Sequence, residues 1–201
     1  MDTYKCNYHM HSNYSNGLMS PAQLVRKFVE EEYDVLSLTD HDTIEGIKEF
    51  MAACEATKIK GVPGVEFTTF HDHDGKVYEI HLLGYNFDPG NELIIDTCRK
   101  IKEDPGAELT TEDAIRIIKE AGGQSFVAHP VKIGEIGGRG TEDFYKEFEG
   151  LLKDLKKKGL IGLECISPLN TEEEEYRFIQ LAGKYHLHIS SGTDYHGEDI
   201  K

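Results

Sequence analysis

Short β-like runs alternate with amphipathic helical ones along almost the whole chain, and no other feature narrows the fold as far. The runs "YKCNYHMH", "DVLSLTD", "GVPGVEFTTF", "KVYEIHLLGYNF", "QSFVAHP", "LIGLECISP" and "LHISSGTDYHG" read as strands. In "SPAQLVRKFVEEE", Ser20 is the expected N-cap and Pro21 the first helical residue, with Leu24, Val25 and Phe28 on one face. Further helices are expected in "TIEGIKEFMAACEATK", in "TEDAIRIIKEAGG" (capped by Thr110 or Thr111), in "TEDFYKEFEGLLKDLKKKG" and in "TEEEEYRFIQLAGKYH". The turn residues "DHDG" join the third and fourth strands without a helix. Strands separated by helices pair in parallel, because each crossover returns the chain to the same end of the sheet.

No linker or low-complexity segment interrupts this pattern, so 1–201 reads as one domain. The pattern fits an open doubly wound sheet or a barrel. The polar residues favour the barrel. His11, Asp40 with His41, Glu66, His129, Asp194 and His196 all lie at or just past the C-terminal ends of their strands, the face that collects chemistry in (β/α) barrels. His81 lies within its own strand. Neither G-x-G-x-x-G nor a P-loop is present.

His9 and His11 stand at i and i+2 in a strand, so both imidazoles point to one side. Imidazoles and carboxylates together suit zinc, manganese or iron, and a carboxylate can bridge two ions. Burying so many ionisable groups without cations would be costly. Net charge is −15, from 22 basic and 37 acidic residues. Such a surface repels phosphate backbones and anionic membranes, so neither nucleic acid nor membrane is expected as a partner. The four scattered cysteines read as reduced thiols of a cytoplasmic protein. No apolar run approaches ~20 residues, and the N-terminus lacks the pattern of a secretory signal.

Taken in order, "YHMHSNYSNG" with "SPAQLV", "LSLTDHDTIEG", "GVEFTT", "EIHLLGYNF", "AGGQSFVAHP", "GLIGLECISP" and "SSGTDYHG" resemble the PHP (polymerase and histidinol phosphatase) family of metal-dependent phosphoesterases. The resemblance covers nearly the whole chain. It implies a distorted seven-stranded TIM-like (β/α) barrel holding two to three divalent ions, zinc, manganese or iron. By that match His9, His11, Glu66 and Asp194 hold one ion, and Glu66 bridges to a second completed by His81 and His129. His41 and His196 hold a third, whose remaining ligand falls at Asn16, a neutral amide that would weaken it. The implied reaction is hydrolysis of a small phosphate monoester by a metal-activated hydroxide, with Glu66, Asp194 and His196 as the catalytic groups. Asp40 is expected to orient an imidazole from behind. The insertion that covers the site in many relatives is cut to about residues 88–109 here, leaving a short lid. Lys132 and Arg139, in "KIGEIGGRG", are candidates to meet the phosphate. No obligate protein partner is implied. An amidohydrolase-like enzyme, another barrel class with H-x-H on its first strand, is the competing enzymatic reading; a non-catalytic metal-binding regulatory module is the other. His71 and His73 read as a solvated hairpin, His186 and His188 as structural, and Glu164 as either touching the site or lying at the core edge.

Overall fold

Helices begin where a side chain can satisfy the free N–H groups of the first turn. In the computed structural model, which describes residues 4–104 and 106–197, Ser20 accepts from the Gln23 N–H, and the Ser20 N–H donates to the Gln23 side chain. This capping box opens α1 (Pro21–Glu30). Helix α2 (Ile47–Thr57) starts at Ile47 rather than Thr43 and has no side-chain cap. Helix α3 (Glu92–Glu103), capped by Asn91, occupies most of the stretch read as a short mixed insertion, and it buries Ile94, Thr97 and Cys98. Thr110, Thr141 and Thr171 cap α4 (Thr111–Glu120), α5 (Glu142–Lys157) and α6 (Glu172–Lys184). Thr111 is instead buried, its hydroxyl 2.8 Å from that of Thr69.

The strands are β1 (Cys6–Asn7), β2 (Val35–Leu38), β3 (Lys60–His73), β4 (Lys76–Tyr85), β5 (Gln124–Val127), β6 (Gly162–Ile166) and β7 (His188–Ser191). They form one seven-stranded sheet in chain order. Four pairings are parallel; β4 runs antiparallel to both β3 and β5. The exception is local: Asp74 and Gly75, at φ 55° and 78°, make the two-residue turn that folds β3 straight back on β4. Just past β1, the Tyr8 N–H donates to the Ser191 carbonyl and the His11 N–H to that of Tyr195, each at 2.9 Å. The two ends of the sheet therefore lie side by side.

All four residues of β2 are buried, as a strand covered on both faces requires. On β3 the faces differ: Val65 and Phe67 join Ile115 and Ile118 of α4 and Phe148, Leu151 and Leu152 of α5 in the main apolar cluster. Leu24, Val25 and Phe28 of α1 pack with Leu36, Leu38 and Phe50 in a second. Among the described residues, no helix is long and apolar enough to cross a membrane.

Candidate metal centre

Glu66 is the hub of the polar cluster. Its carboxylate is fully buried, and its two oxygens face different sets of imidazoles. Oε2 lies 3.0 Å from His9 Nε2, 3.1 Å from His11 Nε2 and 3.5 Å from His41 Nδ1. Oε1 lies 3.0 Å from His81 Nδ1 and 2.9 Å from His129 Nε2. Asp194 Oδ1 closes the first set, 3.1 Å from His11 Nε2 and 3.4 Å from His9 Nε2. Extended backbone delivers these groups: β1 ends at Asn7, short of the strand expected through His11, but Met10 still bridges Tyr195 in parallel, and the i, i+2 spacing puts His9 and His11 on one side; His81 of β4 pairs with Thr68, on the Glu66 face of β3. His129 and Asp194 turn in just past β5 and β7 at φ 21° and 52°. Residues other than glycine hold such conformations at roughly 1–3 kcal/mol each, typically where function needs them.

Burial works against every charge here, yet the carboxylates and imidazoles offset it for one another. Burial would raise the Glu66 pKa, but His9 and hydrogen bonds from His11, His129 and His81 hold it well below the carboxylate range. His9 is desolvated too, yet Glu66 and Glu164 lift it well above the ordinary imidazole value. Asp194 is held down by His11, His9 and Lys132 in spite of burial. His41 goes the other way: burial, with His11 and His81 nearby, outweighs Glu66 and lowers it to about 3.

Protons alone satisfy this cluster poorly. His9 Nδ1 donates to Glu164 Oε1 at 3.1 Å, which leaves Nε2 to face Glu66, Asp194 and the Nε2 of His11, 3.1 Å away. With both imidazoles charged, two N–H groups would point at each other. One divalent ion would serve all four groups. The two imidazoles lie 3.1 Å apart at Nε2, and their Nε2 atoms stand 3.0 to 3.4 Å from Glu66 Oε2 and Asp194 Oδ1; all four ligand atoms fall within 4.8 Å of one another. A tetrahedron of donors about 2.0–2.1 Å from zinc has edges of roughly 3.3–3.4 Å. The residues present fit a metal.

The expected ligands His9, His11, His41, Glu66, His81, His129, Asp194 and His196 are thus gathered, and Asn16 lies in the turn after His11. His11, His41 and His196 bring ligand atoms within 4.8 Å of one another, whereas Asn16 is exposed and its amide oxygen accepts from the neighbouring Ser15 hydroxyl at 3.4 Å. Asn16 serves the turn. The next residue must be glycine, since a Cβ on Gly17 would lie 2.2 Å from the His11 carbonyl oxygen.

Asp40 also differs from expectation. Its carboxylate accepts from the Ser12 N–H and hydroxyl, each at 2.6 Å, and from the Ser15 hydroxyl at 2.7 Å. It fixes the loop after His11 and bonds no imidazole. The orienting carboxylate is Glu164, 1% exposed, whose Oε1 accepts a hydrogen bond from His9 Nδ1 and whose Oε2 accepts from the His129 N–H at 2.7 Å. The sequence offered a weak signal for it, an acid near a strand end on the active face.

The two basic candidates part ways. Lys132, at the end of the 3₁₀ turn Pro130–Lys132, reaches Asp194 Oδ2 at 2.5 Å and lines an open cleft of about 280 Å³ with Glu79, His81 and His129. Arg139 is committed elsewhere: it donates to both Glu174 oxygens at 2.7 and 2.8 Å and to the Leu169 carbonyl. That bond outweighs burial and pulls Glu174 from the ordinary 4.5 to about 2. Arg139→Ala is therefore expected to leave the Glu66 cluster and its metal content unchanged while losing stability. Arg139 is 48% exposed, so screening limits the loss to about 1 kcal/mol, or about 2–4 °C in Tm. Because the Glu174 pKa is depressed on folding, the contribution is full above pH 4.5 and fades toward pH 2. Melting wild type and variant across that range checks it: the gap should close in acid. His186 and His188, read as structural, are exposed at the start of β7.

Comparison with known proteins points the same way. The family model for the PHP domain matches residues 7–189. A 5'-3' exoribonuclease of Haemophilus influenzae is 24% identical over 260 aligned residues, which take in 96% of this chain and 90% of the relative. A 3',5'-nucleoside bisphosphate phosphatase of Chromobacterium violaceum is 22% identical over 257, with 94% and 86% covered. Two solved structures share the fold at 20% identity, each covering 97% of this chain and 88% of the other. They are an amidohydrolase from C. violaceum (TM-score 0.84) and a protein described as a metal-dependent phosphoesterase from Bifidobacterium adolescentis (TM-score 0.79).

The exoribonuclease overturns one expectation, that the −15 charge excludes nucleic acid. Net charge describes the whole surface, whereas a phosphate entering a cleft meets the local field, which bound cations can invert. A single family model runs from β1 into β7, and the buried carboxylate hub with its imidazoles lies inside the span it matches, so this chain belongs to the PHP domain family.

Proposed function

We propose that the chain is a hydrolase of phosphoric esters that removes a terminal phosphate at a centre of two to three divalent ions, zinc, manganese or iron. The division of the Glu66 carboxylate carries this reading: one oxygen serves His9, His11 and Asp194, the other His81 and His129. Each set would hold one ion, leaving His41 and His196 to flank a third. Divalent ions held there supply charge to the phosphate oxygens and ease the deprotonation of water near neutral pH. Asp194 stays ionised beside His11 and Lys132, so it acts as ligand and anchor rather than as an acid. Lys132 is the chain's own cation for the phosphate, 45% exposed at the cleft. Lys132→Ala is expected to raise KM about tenfold with a smaller change in kcat, since one ammonium–phosphate contact contributes about 1.5 kcal/mol.

The alignments with both relatives run over more positions than this chain's 201 residues, so those proteins carry insertions that it lacks. The cleft beside His81 and His129 is open, and an open mouth admits either a small phosphate monoester or the phosphorylated end of a strand. The four cysteines are unpaired and three are buried, which suits a reducing cytoplasm. The test is turnover by manganese-reconstituted protein of p-nitrophenyl phosphate, a nucleoside 3',5'-bisphosphate and a 5'-phosphorylated oligoribonucleotide, against an amide and a lactone. Metal-dependent release of phosphate supports the assignment. Cleavage of the amide with no phosphoester turnover sinks it, and metal uptake without any turnover would make the chain a binding module.

A further inference from the structure

β3 carries a second His-x-His pair, and it faces away from Glu66. Strand side chains alternate, so His71 and His73 share the face of Val65 and Phe67, which is turned to the helices. They lie five and seven residues beyond Glu66, roughly 17–24 Å along the strand, too far to join the centre described above. Nor are they a solvated hairpin, since His71 is 5% exposed. α5 lies opposite: Asp154 Oδ2 is 3.1 Å from His71 Nε2 and 3.9 Å from His73 Nδ1. One ligand atom from each of the three residues falls within 4.8 Å of the others.

The His73 ring packs against the same face of the helix: Gly150 lies one turn before Asp154, and a Cβ added there would sit 3.4 Å from His73 Nε2, an ordinary van der Waals contact. The other charges nearby do not block a cation. Asp74 stands 3.8 Å from His73 Nε2, and Lys158, one turn beyond Asp154, is paired with Glu112 at 2.6 Å.

We infer that His71, His73 and Asp154 form a separate cation site for one zinc-type divalent ion, which pins the β3–β4 hairpin to α5. Two imidazoles and one carboxylate suit zinc with water in the remaining position, whereas magnesium and calcium prefer oxygen donors throughout. The separations of 3.1 and 3.9 Å bracket the roughly 3.3–3.4 Å edge of a tetrahedral zinc site. His73 and Asp154, 25% and 28% exposed, leave a path for the ion to enter.

The test is zinc content after loading metal-free protein and dialysing it, for wild type, His73→Ala and Asp154→Asn, with folding checked by circular dichroism. Each variant is expected to hold one zinc fewer than wild type and to keep wild-type manganese-dependent turnover. In wild type, zinc should also slow amide hydrogen exchange across residues 70–78, and in His73→Ala it should not. Equal zinc content in wild type and either folded variant would overturn the site. So would unchanged hairpin exchange in wild type, a measurement that needs no variant. Zinc content and exchange are read whether or not the protein turns over a phosphoester, so this site and the proposed activity stand or fall separately.

Discussion

Glu66→Gln is expected to lower kcat/KM by about 10²–10⁴-fold and to empty the centre of most of its metal while the fold survives. The amide keeps the volume of the carboxylate but not its charge, and five imidazoles face that position. Removing one partner from a buried charged cluster typically costs 3–5 kcal/mol, and about 1.4 kcal/mol is tenfold in rate. Geometry adds to the loss. An amide has a single oxygen, so whichever way it turns, its NH₂ is set against either His9 and His11 or His81 and His129. Metal content, steady-state kinetics and circular dichroism on the same preparation decide it. Turnover near the wild-type level would remove Glu66 from the hub.

Glu164→Gln is expected to weaken metal affinity by about 10–100-fold, the usual effect of losing a carboxylate behind a ligating histidine. Both Glu164 oxygens are in use, one by His9 Nδ1 and the other by the His129 N–H. Glutamine can satisfy only one of them. The loss should appear as a higher metal concentration for half-maximal activity, with kcat largely recovered at saturating metal. That recovery separates a positioning role from a reacting one. A fall in kcat that excess metal does not mend would mean that Glu164 touches the reacting atoms.

The parts of the site legible in the sequence are those that strand period alone determines. His9 and His11 share a side because they are two residues apart, and His41, His129 and Asp194 stand just past strand ends where the active face lies; Glu66, expected at a strand end too, sits instead in the middle of β3, because the ladder with β4 carries that strand on to His73. Ser20 and Thr110 are legible as caps because an N-cap is a local contact. What stayed hidden is set by contacts between distant residues or by patterns without contrast. In β6 Gly162 to Cys165 are all buried, so no alternation marks which way Glu164 points. Asp40 neighbours a ligand, but only the folded loop shows that Ser12 and Ser15 claim its oxygens. Arg139 pairs with Glu174 across 35 residues, which no local rule anticipates. Helix α3 has its Asn91 cap and buried Ile94, but Thr97 and Cys98 mid-helix and a partly exposed Ile95 blur the period. The charge balance misled most, because a bulk quantity was applied to a local cleft.

Some of the donors stand far apart in sequence, His9 and His11 before α1 and Asp194 and His196 after β7, with His11 and Asp194 separated by 183 positions. Contacts that close so long a loop form late. The full cluster can therefore assemble only once residue 194 has been made and the last strand has docked beside the first. A single cut that let the last strand separate would take Asp194 and His196 away from the cluster without altering any of its side chains.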